Sequence, residues 1–231
     1  MRLPIVLLPG HMCDARLFGP LIDDLRGELV LVGDLTADLS VAAMAQRVLA
    51  SAPPRFALLG LSMGGIVALD MARQAPQRIA RIALLDTNPL PESEDRSTMR
   101  LELMRLVAAG GLKSVVVERL KPAYLAAVNR DNATLLALVV EMAIDLGAEV
   151  FERQARALLS RPDGRTALGE LRVPALVLCG REDALCTVAV HQAMAAAIPG
   201  STLVVVEQAG HLPTLERPEA VNAAVRDWLN S

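Results

Sequence analysis

The sequence predicts an α/β fold, in which a mainly parallel sheet of about six strands is covered on both faces by helices and carries an inserted helical segment. Two observations lead to this prediction. Short runs rich in Val, Leu and Ile recur along the chain, and most of them alternate with segments of helical, amphipathic period. The alternation stops only between about 89 and 171, where no run has the pattern of a strand.

Six short apolar runs are the predicted strands, and their continuous hydrophobicity is typical of strands buried on both faces. They cover about 3–8, 29–33, 56–61, 80–86, 175–180 and 202–207. The first run also resembles the apolar part of a signal peptide. It is too short, Pro4 interrupts it and no small-x-small cleavage site follows, so we interpret it as the first strand.

Capping residues predict several helix boundaries in the regions that alternate with strands. Asp14 is suited to cap a helix that runs to about 26, and Ser40 a helix over 41–52. Glu216 and Glu219 are suited to the dipole at the start of the last helix. Other helical periods cover 66–74, 188–198 and 218–228.

The segment from 89 to 170 is predicted to be entirely helical. Its apolar stripes indicate helices over 92–109, 112–120, 131–147 and 148–160. We expect this segment to form a helical cap, residues 89–170, inserted into a core that consists of residues 1–88 and 171–231.

Composition excludes several classes of protein. The chain has 231 residues, 53% hydrophobic and 21% charged, which excludes a disordered chain. Its net charge is 23 − 26 = −3 with no basic stripe, so we expect no nucleic-acid partner. Mean hydropathy is +0.39, but no window reaches about 18 uncharged apolar residues, so no membrane span is expected.

The cysteines and histidines predict the compartment and the absence of a metal. Cys13, Cys179 and Cys186 form no C-x-x-C pair, which favours free thiols in a reducing, cytoplasmic location. Three histidines and three cysteines are scattered without ligand spacing, so we predict no metal and no cofactor. The oligomeric state stays open.

The strongest motif is Gly60-Leu61-Ser62-Met63-Gly64-Gly65, a G-x-S-x-G sequence between a predicted strand and a predicted helix. In that setting the motif predicts a nucleophile elbow, with Ser62 on a sharp turn above the carboxyl edge of the sheet. Gly60 and Gly64 allow the strand and the helix to approach each other without side-chain clashes. The start of the helix favours negative charge that develops beside Ser62.

A serine nucleophile needs a base, and His211 is the best candidate among the three histidines. It directly follows the last predicted strand, and loops at the carboxyl ends of parallel strands meet at one edge of the sheet. His191 falls within a predicted helix, which favours a structural or exposed position. His11 follows the first strand and could also lie near the site.

The base needs an orienting carboxylate, for which we favour Asp183. Asp183 lies on the loop after the strand 175–180, so the chain order of the three residues is Ser, Asp, His. The neighbouring Glu182 and Asp86, which ends the fourth strand, are rivals for this role. The alternative for Asp86 is a structural role, hydrogen bonding in its own turn.

An oxyanion hole built from two backbone amides would complete the site. One amide is expected from Met63, directly after the nucleophile. The other is expected from the loop after the first strand, Pro9-Gly10-His11-Met12.

Over nearly its whole length the chain resembles the α/β-hydrolase superfamily, and within it small capped serine carboxylesterases, including the pimeloyl-carrier-protein methyl ester esterase type. Four motifs carry the resemblance: the strand and loop 7–12, the elbow 60–65, Asp183, and the segment 210–219. The resemblance implies an α/β-hydrolase fold, and it implies that the amide of His11 is the second oxyanion donor.

Three departures from the family pattern matter. Pro9 stands where the family has His, and Met12 where it has a second glycine. The first predicted strand corresponds to the family's usual third strand, so we expect a sheet of about six strands without the family's first hairpin. Leu212 follows the predicted base, where C–C bond hydrolases of the family tend to carry Trp.

These residues predict a serine hydrolase that cleaves small-molecule carboxylic esters through an acyl-enzyme on Ser62. The alternatives are a C–C bond hydrolase, thioesterase or acyltransferase on the same triad, or a receptor with slow turnover. Aromatic residues are only 2% of the chain, so an aliphatic pocket is expected. For the many arginines of the cap, we favour a solvated helix face over recognition of a substrate carboxylate or phosphate. They include Arg96, Arg100, Arg105, Arg119, Arg130, Arg153 and Arg156.

Overall fold

Six parallel strands form a single sheet in the computed structural model, which describes residues 3–120 and 123–231. The strand order is β2-β1-β3-β4-β5-β6, and every neighbouring pair is parallel. The strands are β1 Ile5–Leu8, β2 Val30–Val32, β3 Phe56–Leu61, β4 Ile79–Leu85, β5 Ala175–Gly180 and β6 Thr202–Val206. The predicted strands are therefore confirmed, with ends that differ by one or two residues.

Helices cover both faces of the sheet and fill the interval between β4 and β5. They are α1 Gly19–Asp24, α2 Val41–Ser51, α3 Met63–Gln74, α4 Glu94–Ala108, α5 Leu112–Ser114, α6 Ala133–Leu159, α7 Arg165–Glu170, α8 Val188–Ala197, α9 Pro213–Glu216 and α10 Pro218–Asn230. A π-helix, Val115–Leu120, directly follows α5. Ser40 caps α2 as predicted, because its side chain accepts the Ala43 N–H.

The helix predicted from Asp14 to about 26 is wrong as a single element. Asp14 caps a short 3-10 helix, Ala15–Phe18, and α1 begins only at Gly19. Pro20 explains the interruption, because it has no N–H to continue the hydrogen-bond ladder of a preceding helix. Pro20 instead occupies the first turn of α1, where that donor is not needed.

The segment between β4 and β5 has the four predicted helices, but the one expected over 112–120 consists of α5 and the π-helix, and α7 was not predicted. The helices expected over 131–147 and 148–160 are the two parts of α6, which are separated at Gly147 by a non-helical backbone with φ of 81°. Only glycine adopts this left-handed value without strain. The kink therefore falls where the sequence placed the boundary between two helices.

Three apolar clusters hold these layers together. On one face of the sheet, α2, α3 and α8 pack against the strands, and on the other α1 and α10 do so. A third cluster joins residues of α4, α5, the π-helix and α6 to Met12, which lies on the loop after β1. The inserted helices are thereby packed onto that loop. Within the described ranges, no helix is both long and apolar enough to span a membrane.

Candidate active site

Ser62 occupies a strained turn between β3 and α3. Its φ of 54° and ψ of −116° lie outside the regions that serine normally adopts. The Ser62 carbonyl accepts the Thr87 hydroxyl at 2.7 Å, which holds the turn against β4. A Cβ atom on Gly60 would lie 2.3 Å from the Gly64 carbonyl oxygen, and one on Gly64 would lie 2.0 Å from the Leu8 carbonyl oxygen. Both glycines are therefore required by close backbone approach.

The structure brings Ser62, His211 and Asp183 into one hydrogen-bonded chain. His211 Nε2 lies 2.9 Å from Ser62 Oγ, and His211 Nδ1 lies 2.8 Å from Asp183 Oδ2. Both the imidazole and the carboxylate are buried. With the Nδ1 proton donated to Asp183, Nε2 is the free acceptor that faces the serine hydroxyl.

The second oxygen of Asp183 is bound by its own loop. Asp183 Oδ1 accepts the Leu185 N–H at 2.8 Å and the Cys186 N–H at 3.0 Å. Burial pushes the pKa of Asp183 upward, but the attraction of His211 and these hydrogen bonds outweigh burial and leave the pKa below its ordinary value. Asp183 is therefore a carboxylate beside His211.

The rival acids occupy other positions. Asp86 Oδ1 accepts the Gly180 N–H at 2.9 Å, and burial, together with the nearby charge of Asp183, raises the pKa of Asp86 well above its ordinary value. The Asp86 carboxyl group therefore keeps its proton to a higher pH than an ordinary aspartate does. Glu182 accepts the Ala127 N–H at 2.8 Å. Of the three acids weighed from the sequence, the structure joins Asp183 to His211.

The loop that carries His211 is fixed by Glu216. Its buried carboxylate accepts the Gly210 N–H at 2.7 Å through one oxygen, and the Ala126 N–H at 2.7 Å and the Asn129 amide at 2.9 Å through the other. The expectation that Glu216 serves the dipole of the last helix is therefore incomplete. Glu216 is the last residue of α9, and its hydrogen bonds connect the His211 loop to the segment between β4 and β5.

Tyr124 was not singled out by the sequence as a contact of the predicted base. Its carbonyl oxygen accepts the backbone N–H of His211 at 2.7 Å, and the centre of its ring lies 5.8 Å from the centre of the imidazole ring. No sequence motif marks Tyr124, because it belongs to an irregular stretch between helices.

The loop after β1 carries His11, the second predicted oxyanion donor, and His11 lines the same cavity as Ser62. Its next two amides are used elsewhere, since the Met12 N–H donates to Gln154 Oε1 at 2.9 Å and the Cys13 N–H donates to the Gly10 carbonyl at 3.1 Å. Met12 has a φ of 56° at the position where the family carries glycine. Met63, the other predicted donor, is the first residue of α3.

Gln154 was missed by the sequence analysis, although one signal was available. It is a polar residue in an apolar stripe of α6 and is 1% exposed. Besides accepting the Met12 N–H, its side chain donates to the Leu35 carbonyl at 3.2 Å. Gln154 therefore fixes the path of the loop that carries His11.

Replacing Gln154 with methionine is expected to lower both stability and turnover. The Met12 N–H loses its acceptor, which costs about 1–3 kcal/mol when the donor stays buried. The strained Met12 backbone is then less firmly held, so the His11 amide is less well placed. Urea unfolding and kcat measure the two effects, with exposed Gln77→Met as the control. If Gln154→Met is less stable but has the wild-type kcat, the position of the loop that carries His11 does not affect catalysis, which would contradict this prediction.

The side chains of the other two histidines have different surroundings. Burial, and to a lesser degree the charge of Arg100, lowers the pKa of His11 to about 3, so its imidazole is neutral. The His11 ring packs edge-on against Phe151 at 5.0 Å. His191 is fully buried, accepts the Thr87 N–H at Nε2 and lies 3.0 Å from the Thr187 carbonyl at Nδ1. Of the two positions expected from the sequence, structural or exposed, the structure therefore shows the structural one.

A cavity of about 220 Å³ opens beside Ser62 and His211. One wall comes from the loops at the carboxyl edge of the sheet, and the other comes from the helices between β4 and β5. Its lining is mainly aliphatic with several arginines, and Tyr124 is the aromatic residue within it apart from the histidines. The lining residues from the segment between β4 and β5 are Arg96, Met99, Arg100, Leu103, Arg119, Leu120, Ala123, Tyr124, Leu158 and Arg161.

Ligand atoms of Asp183, Cys186 and His211 lie within 4.8 Å of one another. Asp183 and His211 already hydrogen-bond to each other, and His211 also hydrogen-bonds to Ser62. Burial, followed by the charge of Asp183, raises the pKa of the Cys186 thiol well above its ordinary value, which disfavours the thiolate that metals bind. The absence of a metal therefore stays a prediction.

Comparison with known proteins gives consistent matches. A model described as the alpha/beta hydrolase family matches residues 5–224. The pimeloyl-(acyl-carrier protein) methyl ester esterase of Aliivibrio salmonicida (strain LFI1238) is 29% identical over 245 residues, which cover 93% of this chain and 87% of that protein.

Solved structures match over almost the entire chain. A thermophilic esterase from Thermogutta terrifontis, solved with malate bound, has a TM-score of 0.90 and 31% identity, covering 99% of this chain and 89% of the other. The enol-lactonase from Burkholderia xenovorans LB400 has a TM-score of 0.88 and 22% identity, covering 100% and 93%. These matches confirm the predicted fold class, the predicted resemblance and the prediction of a hydrolase.

Proposed function

The chain belongs to the alpha/beta hydrolase family, and we propose that it is a serine carboxylesterase in which Ser62, His211 and Asp183 are the catalytic triad. The observation that carries this proposal is the continuous hydrogen-bonded chain from Ser62 Oγ through the imidazole to a carboxylate. The arrangement matches what a serine nucleophile needs for activation. Relatives that are named esterases support the choice of ester substrates.

The mechanism follows from the roles of these atoms. Ser62 Oγ attacks the ester carbonyl carbon while His211 Nε2 takes the serine proton, and the amides of His11 and Met63 stabilise the oxyanion. Collapse of the tetrahedral intermediate passes that proton to the leaving alcohol and leaves an acyl group on Ser62. Water, activated by His211, then attacks the acyl-enzyme and releases the acid.

Asp183 contributes by holding the imidazole. Its hydrogen bond to Nδ1 keeps the proton on that nitrogen and leaves Nε2 as the base, and its charge stabilises the imidazolium that forms. The buried position of both groups keeps this attraction strong.

The proposal includes a division of the chain into two parts. Residues 89–170 would act as the cap and residues 1–88 and 171–231 as the core, with 1, 2, 121 and 122 outside the described residues. Side chains of both parts line the cavity, which supports a cap that shapes the substrate site. The buried free thiols support a cytoplasmic location.

The test is a series of p-nitrophenyl esters of increasing acyl length with the purified protein. We expect turnover that is highest for short acyl chains, because the cavity is only about 220 Å³. Turnover of thioesters or transfer to an alcohol acceptor at a higher rate would favour the alternatives on the same triad. An absence of turnover of every ester would overturn the proposed function.

A further inference from the structure

Arginine side chains from the inserted helices reach into the cavity beside Ser62. Arg96 and Arg100 of α4 and Arg161, just after α6, all line it. The solvated helix face favoured from the sequence fits a residue such as Arg156, whose side chain is 57% exposed beside Glu152. It does not fit Arg100 or Arg161, whose side chains are 15% and 4% exposed.

The charges of these three arginines are only partly balanced. The Glu92 carboxylate lies 2.9 Å from Arg100 Nη2 and 3.0 Å from Arg161 Nη1. Arg96 has no ion pair within the described ranges, and its Nη2 donates to the Leu185 carbonyl oxygen at 2.5 Å. The buried Glu92 carboxylate therefore pairs with two of these three arginines, and no ion pair of the described residues balances Arg96.

This imbalance is unfavourable for an empty cavity. Burial lowers the pKa of Arg161, and the charges of Arg100 and Arg96 lower it further against the opposing effect of Glu92. A cation whose pKa is lowered is destabilised by its surroundings. An anion bound in the cavity would relieve that repulsion and would use the N–H donors of Arg96 that the Leu185 carbonyl leaves free.

The rest of the cavity indicates what else such a ligand contains. Apolar side chains, among them Met99, Leu103 and Leu158, share the lining with the arginines. Ser62 and His211 lie on the same lining. A molecule with a short aliphatic chain could therefore place one end at Ser62 and the other at Arg96.

We propose that the natural substrate is a small ester that also carries a free carboxylate, which Arg96 binds with the support of Arg100 and Arg161. The planar guanidinium matches the two oxygens of a carboxylate better than any other cationic side chain does. This proposal rests on the proposed function, because it names the substrate of the same site.

Matched substrates test this proposal. Methyl hydrogen succinate, glutarate and adipate are each compared with the methyl ester of the corresponding half-amide, which has the same shape without the charge. We expect kcat/KM to favour the acid ester by about tenfold or more, as is typical of a hydrogen bond to a charged group. Arg96→Gln should bring that ratio close to one, and Arg156→Gln should leave it as in the wild type.

Two outcomes separate failure of this proposal from failure of the proposed function. If both esters are hydrolysed and the half-amide is equally good or better in the wild type, the carboxylate site is wrong and the esterase stands. If no ester is hydrolysed, binding decides: methyl hydrogen glutarate should raise the Tm of Ser62→Ala more than its half-amide does. That difference should vanish in Ser62→Ala with Arg96→Gln, and its absence in Ser62→Ala alone would overturn the site.

Discussion

Ser62→Ala is expected to lower kcat for a neutral p-nitrophenyl ester by roughly 10⁵-fold or more, the order seen when a serine nucleophile is removed. Alanine cannot form the acyl-enzyme, while the cavity and the oxyanion donors stay in place. Serine and alanine both carry a Cβ atom, so alanine meets the same steric restriction at the positive φ of this turn as Ser62 does. The Tm should therefore change little.

The matched control is Ser160→Ala, which removes a hydroxyl from an exposed serine at the end of α6. It should retain the wild-type kcat. Activity of Ser62→Ala within tenfold of the wild type would rule out Ser62 as the nucleophile.

Asp183→Asn is expected to lower kcat by roughly 10³- to 10⁴-fold. An asparagine amide that donates to the imidazole would favour the tautomer with its proton on Nε2, which cannot accept the Ser62 proton. The loss of charge also removes the stabilisation of the imidazolium. Steady-state kinetics with one p-nitrophenyl ester measures the effect.

Asp86→Asn is the matched control, because Asp86 lies near Asp183 but its Oδ1 accepts the Gly180 N–H, whereas Asp183 bonds to the imidazole of His211. Asparagine can still accept the Gly180 N–H, so kcat should fall by less than about tenfold. If Asp86→Asn lowered kcat as much as Asp183→Asn does, both residues would be needed as the acid of the triad, and the assignment to Asp183 alone would be wrong.

The raised pKa of Asp86 gives this control a second readout. The folded state holds the Asp86 proton more tightly than the unfolded state does, so its contribution to stability falls as pH rises from about 4 towards the raised pKa. The asparagine side chain of the variant cannot ionise, so the variant lacks this loss. The unfolding free energy of Asp86→Asn relative to wild type should therefore increase with pH in urea titrations.

Much of the fold could be predicted because local patterns and tertiary packing agree. The buried strands are continuous apolar runs. Gly60, Ser62 and Gly64 indicate a strand-to-helix turn, because its close backbone contacts are sterically possible for few sequences. The helix after Asp14 was misjudged because Pro20 interrupts a pattern that otherwise has the helical period.

The residues of the site likewise fall into those that the sequence could predict and those that it could not. Ser62, Asp183 and His211 each follow a strand, so topology alone brings them to one edge of the sheet. Gln154 and Tyr124 belong to the inserted segment, and their contacts depend on how that segment packs onto the sheet. The solvated face favoured for the arginines was wrong for Arg100, whose side chain is 15% exposed, because the sequence does not show which face of α4 meets the cavity.

Labelling with a serine-directed fluorophosphonate tests the central claim most directly. If Ser62 is a nucleophile activated by His211, the intact protein should gain one adduct, and peptide mass spectrometry should place it on Ser62. His211→Ala should react far more slowly, and Ser62→Ala should not react. An adduct on another residue, or equal labelling of the wild type and Ser62→Ala, would contradict the proposed triad.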